Sequence, residues 1–170
     1  MQGLFAAFII LDEQDEDILT YVSITPLSKD GYLMYRLGAP VVINSLLTIV
    51  ALSIAGYHDV ITWSFLPIIL LLALKAPLVA LFVAGMAKNK VEGLAVSKVA
   101  SILLLVPFAF YFVDGGWKYF AGILPPFWTV AAFFYSLQSA YLQYWLHMAV
   151  AVLTHIILIY LLYSRFKRIV

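Results

Sequence analysis

Long apolar runs separated by short polar stretches set the plan of this chain. Residues 37–57, 62–86, 96–113 and 142–163 are apolar nearly throughout. Each approaches or exceeds the roughly 20 residues that a helix rising 1.5 Å per residue needs to cross hydrocarbon. The pattern therefore predicts four full membrane-spanning helices. A fifth run, residues 3–11, is too short to cross alone and predicts the end of a helix. Between it and the first span, residues 13–24 predict a separate short helix. There Ile18, Leu19, Tyr21, Val22 and Ile24 make a broad apolar arc, with Thr20 and Ser23 opposite. Pro26 biases Thr25 away from the α region and ends that helix. Ser28 is placed to cap the next one.

Prolines mark the places where this plan bends. Pro40 sits at the entrance of the first span with Gly38, Pro67 and Pro77 lie in the second, and Pro107 interrupts the third. Residues 114–138, with Pro125 and Pro126 among many aromatics, are too broken for one straight span. They predict short re-entrant or interfacial helices before the last span, in preference to an ordinary outer loop with an aromatic belt.

Composition moves the whole chain into lipid. Of its 170 residues 65% are hydrophobic and only 11% charged, with a mean hydropathy of +1.02. Soluble domains are about half apolar and a quarter charged. The expected fold is an all-α polytopic membrane protein, a single transmembrane domain over residues 1–170. A net charge of +1 offers no basic stripe for nucleic acid. With no cysteine, disulfides and thiolate metal sites are excluded. The N-terminus does not read as a signal peptide, because no basic residue precedes the run 4–11 and five acids follow it.

Charge then gives an orientation. Lys29, Arg36, Lys88, Lys90, Lys98, Arg165, Lys167 and Arg168 all fall on one side of the predicted spans, against Lys118 on the other. Basic residues accumulate in cytoplasmic loops. The segment 12–36, the loop 88–98 and the C-terminus are thus expected in the cytoplasm of a multi-pass plasma-membrane protein. The segment 12–36 carries Asp12, Glu13, Asp15, Glu16 and Asp17, five of the nine acids. A helix lying on anionic lipid wants a basic polar face; an acidic one suits the groove of a soluble partner.

These residues resemble a family. The run from Glu13 through Pro26-Leu27-Ser28 and Gly31-Tyr32-Leu33 to Arg36 resembles the coupling-helix region of type-2 ABC transporter permeases. Residues 88–95 resemble that family's cytoplasmic loop before the fifth helix. Leu124-Pro125-Pro126-Phe127-Trp128 resembles its outer region before the last. The resemblance implies six helices in the complete permease, so that the first helix and most of the second would precede this chain. It implies a separate ATP-binding subunit that docks on the coupling helix, and a second permease copy or homologue completing a dimer. Ile18, Tyr21, Val22, Thr25, Pro26 and Leu27 are the docking and transmission residues it implies. The permease would bind no cofactor itself, and the chain has no Gly-rich phosphate-cradling loop.

One residue stands apart chemically. Lys75 lies about 18 Å from the cytoplasmic end of its span, where a charge costs at least about 2.5–3.5 kcal/mol. It must face protein or water. Pro77 leaves the Ala73 carbonyl without its usual donor, so Lys75 is a translocation-pathway lysine, one satisfied by freed carbonyls, or one set nearer an interface than these span bounds place it. His147 and His155 are about 80° apart around a helix, which suits packing rather than a metal pair. Asp114 with Gly115-Gly116 reads as an outer turn. The aromatics between Trp117 and Tyr135 read as an interfacial belt before they read as a pathway lining. No triad, carboxylate pair or metal cluster is visible. The expected function is the permease subunit of an ATP-driven exporter of hydrophobic or drug-like compounds. The alternative is a truncated, non-transporting paralogue serving as an anchor or assembly partner.

Overall fold

The computed structural model describes residues 2–24, 29–57, 65–113 and 115–169. Among these residues there are helices and turns and no strand. The helices are α1 (Gln2–Asp15), α2 (Ile18–Ser23), α3 (Lys29–Ile54), α4 (Leu66–Met86), α5 (Lys90–Ala100), α6 (Val106–Phe112), α7 (Pro125–Leu137) and α8 (Tyr141–Ile169). Two 3-10 segments, Ser101–Leu104 and Gly115–Ile123, precede α6 and α7.

α4 is the axis. It packs against α1, α3, α5, α7 and α8, and twelve of its residues are buried. Small side chains make this close approach possible. Ala76, Ala80 and Ala84 repeat every fourth residue, so they share a face, and Gly3 and Ala7 on α1 do the same. In membranes such small-residue seams take the place of a hydrophobic driving force between helices. Gly3 shows how tight this seam is, since a Cβ there would stand 2.5 Å from the Ala76 carbonyl oxygen. Ala6, Ala7 and Leu11 pack with Ala80, Val83 and Ala87 along it. Ile10, Tyr32, Leu33, Leu81 and Phe166 join α1, α3, α4 and α8 at one end. Phe65, Ile68, Ala132, Tyr144 and Met148 join α4, α7 and α8 at the other.

Among the described residues three helices are long and apolar enough to cross a membrane: Asp30–Ile54, Leu66–Met86 and Tyr141–Arg168. The expected third span, residues 96–113, is not one helix. α5 ends at Ala100, a 3-10 turn follows, and the seven-residue α6 begins at Val106. Pro107 has no N–H to return to the Leu103 carbonyl. Ser97 and Ser101 direct their hydroxyls at the carbonyls of Leu94 and Ser97, a local pairing that competes with regular helix. Four full spans were expected; with this break, three helices among the described residues are long enough to cross.

The boundary in the acidic segment also moves. Residues 13–24 were expected as one helix, yet Glu13 and Asp15 belong to α1, which continues from the apolar run without interruption. The chain turns at Asp17, whose φ of 56° is left-handed. Aspartate tolerates that region better than most residues. α2 then starts at Ile18.

Candidate functional site

The polar side chains gather at one end of the bundle. Glu13 is buried, and its carboxylate accepts hydrogen bonds from the Tyr32 hydroxyl and from two nitrogens of Arg36. This bidentate geometry is the strong form of an arginine–carboxylate pair. It ties the end of α1 to the start of α3, one on either side of α2. Asp12 forms an ion pair with Lys90, and the Lys90 N–H donates to Asp15, bringing in α5. Asn89 caps α5 by accepting from the Glu92 N–H at 2.9 Å, while Glu92 accepts from the Lys88 N–H. Asp30 holds the Tyr163 hydroxyl and the Lys167 ammonium, bringing in α8. Arg165 donates to the Gly85 carbonyl at 3.0 Å, in the last turn of α4, where carbonyls lack helical partners.

The side-chain network therefore puts Arg36, Lys90, Arg165 and Lys167 at the same end, together with the acids. The hydrogen bond to Asp12, with Asp15 and Glu16 nearby, raises Lys90 above the ordinary lysine value. A raised lysine makes its contribution throughout the range below the ordinary value and loses it as pH climbs past the raised one. The Asp12–Lys90 link is thus intact at neutral pH.

α2 hangs from this ionic end. Tyr21 and Ile24 are exposed at 66% and 81%, large apolar groups facing outward from a charged surface. Ile18 is half-buried. Val22 packs inward against the Ile10–Tyr32–Leu33 cluster, so the expected docking arc divides into an outward part and an anchor. Thr25, Pro26 and Leu27, also expected at the docking surface, lie outside the described residues, as does the expected cap Ser28.

Lys75 lies half-buried in the middle of α4. It faces a cavity of about 270 Å³ bounded by α1, α3, α4 and the end of α5. It has no hydrogen bond or ion pair among the described residues, so the Ala73 carbonyl left by Pro77 is not its partner. Asn44 on α3 crosses to donate to the Leu72 carbonyl at 3.2 Å.

The opposite end is aromatic. α7 is 13 residues long, or about 20 Å, and packs along the first half of α8. Pro125 and Pro126 start it, as prolines can where no helical N–H is needed. Trp128 donates its indole N–H to the Gly122 carbonyl at 2.7 Å. Phe127 and Phe134 pack on Phe110, while Trp117 and Phe120 stack on each other and stay exposed. His147 lies against Tyr135 and Trp128. Its Nδ1–H donates to the Gln143 carbonyl, and that of His155 to Ala151. Both are packing histidines engaged within their own helix. Asp114 lies outside the described residues.

A helical bundle with one ionic end and a lysine midway along its central helix fits several kinds of transporter. The deciding observation is a match to the sequence profile of the Rv2686c-like fluoroquinolones export permeases over residues 1–163. The chain belongs to this family. Two curated Mycobacterium tuberculosis proteins are similar to it: fluoroquinolones export permease protein Rv2686c of strain H37Rv and its counterpart MT2760 of strain CDC 1551. Each is 26% identical over 167 residues, covering 97% of this chain and 66% of the relative. The chain thus spans just under two-thirds of the length of these relatives. No solved structure matches it.

Membership in the export permease family, with three apolar helices long enough to cross, makes this a multi-pass membrane protein of the permease type. What sequence reasoning missed within this family member is the use of Glu13 as a buried counter-ion. The signal was available only in part: Arg36 is a lone basic residue at the mouth of a span, and it needed an acid.

Proposed function

We propose that this permease is the membrane subunit of an ATP-driven exporter of the type-2 ABC kind, and that α2 is where its ATP-binding partner docks. The observation that carries this reading is the pairing of outward-facing Tyr21 and Ile24 with an α2 held on both sides by the Glu13–Arg36 link. Exposed aromatics on a rigid mount are the usual anchors of a protein interface. The ionic end faces the cytoplasm, because basic residues favour that side. ATP binding and hydrolysis belong to the partner. Its movement would press on α2 and pass through Glu13 and Arg36 into α1 and α3 together, rocking the bundle as rigid bodies.

A second permease copy or homologue completes the pathway. α7 is a re-entrant helix that lines its outer part, buried where backbone turns at membrane depth are tolerated. The cargo is a compact drug-like molecule of the kind named for the two relatives.

Co-purification with the candidate ATP-binding subunit tests the reading. Tyr21→Asp and Ile24→Asp change exposed side chains and should leave the fold intact. Loss of an interface anchor weakens binding roughly tenfold or more, so each variant should co-purify far less partner than wild type. Unchanged recovery of the partner with both variants would overturn the proposed docking surface.

A further inference from the structure

A second groove lies on the outside of the bundle. It runs between α1 and α3 and encloses about 280 Å³, with Phe5 and Ile9 on one wall and Ala39, Pro40 and Ile43 on the other. Phe5, Ile9 and Ile43 are exposed, and the most apolar stretch of α3 buries no residue. The groove therefore opens sideways, toward hydrocarbon. Tyr35 and Arg36 close it at the ionic end. Arg36 is the last charge before the apolar run 37–57, so that end lies at the level of lipid headgroups.

Glu13 does not occupy all of the Arg36 donors. A guanidinium carries five N–H groups. Glu13 accepts from Nε and from one Nη, which leaves three without a partner among the described residues. The rings of Tyr32 and Tyr35, each 5.8 Å from Arg36 Cζ, hold the group in place. Such a fork matches the paired oxygens of a phosphate.

The charge of the rest of the headgroup follows from α1. Gln2, Phe5, Ile9 and Glu13 recur at spacings of three or four and share a face. Glu16 continues that face by one turn, since its N–H still bonds the Asp12 carbonyl at 3.0 Å. Asp12 and Glu13 are balanced by Lys90 and Arg36. Asp15, Glu16 and Asp17 are exposed and have no ion pair among the described residues. These carboxylates repel a headgroup of net negative charge and attract an ammonium. A primary ammonium can also donate to them, which a quaternary one cannot.

We infer that this groove seats one phospholipid with a zwitterionic, primary-amine headgroup, a phosphatidylethanolamine. Its phosphate lies on the free N–H groups of Arg36, its ammonium reaches toward Glu16, and one acyl chain runs along Phe5, Ile9, Ala39 and Ile43. The bound lipid bridges α1 and α3 beside the Glu13–Arg36 pair. The inference needs only that the bundle sits in a bilayer, and holds whether or not a partner docks on α2.

Native mass spectrometry of the full chain in detergent tests it. Three dioleoyl lipids that differ only in headgroup are titrated in turn: phosphatidylethanolamine, phosphatidylcholine and phosphatidylglycerol. Wild type should retain one phosphatidylethanolamine at least roughly tenfold more tightly than either of the others, the scale of a hydrogen bond to a charged group. Glu16→Gln should narrow the margin over phosphatidylglycerol. Ala39→Trp, at an exposed position, fills the groove and should remove the tight site while the melting midpoint stays near wild type. Equal retention of the three lipids by wild type, or tighter phosphatidylglycerol, would overturn the headgroup assignment without requiring any variant. Tight phosphatidylethanolamine retained by Ala39→Trp would overturn the groove as its place.

Discussion

At the scale of single residues, Glu13 and Arg36 show where a sequence reading stops. Five acids in six positions look like a solvated run, and nothing local distinguishes the one that turns inward. The partner is 23 residues away, across a turn and a helix, so the pairing exists only once α1 and α3 lie side by side. The presence of a lysine at mid-membrane was legible at Lys75, because hydropathy alone flags it. Its lack of a hydrogen-bond or ion-pair partner among the described residues was not. The two ionic contacts differ in consequence. Arg36→Met would leave the buried Glu13 carboxylate short of its donors, a loss on the order of 2 kcal/mol for a hydrogen bond to a charged group. In a chain of this size that lowers the melting midpoint by about 4–8 °C, read by tryptophan fluorescence in detergent. Lys167→Met removes an exposed pair with Asp30 and should move the midpoint little.

At the scale of elements, helix identity was legible and helix continuity was not. α3, α4 and α8 follow from apolar runs of sufficient length, with ends within a few residues except where α3 begins eight residues early and α8 ends six residues late. The stretch after Val96 is apolar like the long helices, yet its α-helix stops at Ala100 and resumes only at Val106, because Pro107 and two back-bonding serines weaken it together. Apolar content reports where a segment can reside; the hydrogen-bond ladder decides whether it runs as one unbroken helix. The seam between α1 and α4 depends on glycine for a different reason, the want of a Cβ. Gly3→Ala would push a methyl against the Ala76 backbone, which cannot rotate away, and should cost about 1–3 kcal/mol. Gly93→Ala meets only the end of the Leu11 side chain and the edge of Phe8. Leu11 can shift, and alanine favours the helix by about 1 kcal/mol, so that variant should melt near wild type. Comparable losses in both would show that the seam is not set by the α1–α4 backbone approach.

At the scale of the molecule, the bundle has two unlike ends joined by a mostly apolar middle. One end is sewn by Asp12, Glu13 and Asp30 to Lys90, Arg36 and Lys167, which link α1, α3, α5 and α8 there. The other is a packing of rings from α6, α7 and α8 around Phe110, Phe127 and His147. Counting basic residues along the sequence already separated these ends, since the count needs only the order of spans. The proposed function depends on which end faces the ATP-binding partner. The chain has no cysteine, so single cysteines can be introduced without background, by Thr20→Cys on α2 and by Gln138→Cys in the turn between α7 and α8. Both positions are exposed. In intact cells a membrane-impermeant maleimide should label the cysteine at 138 and spare the one at 20, which should react only after the membrane is opened. Labelling at 20 in intact cells, with protection at 138, would contradict the account.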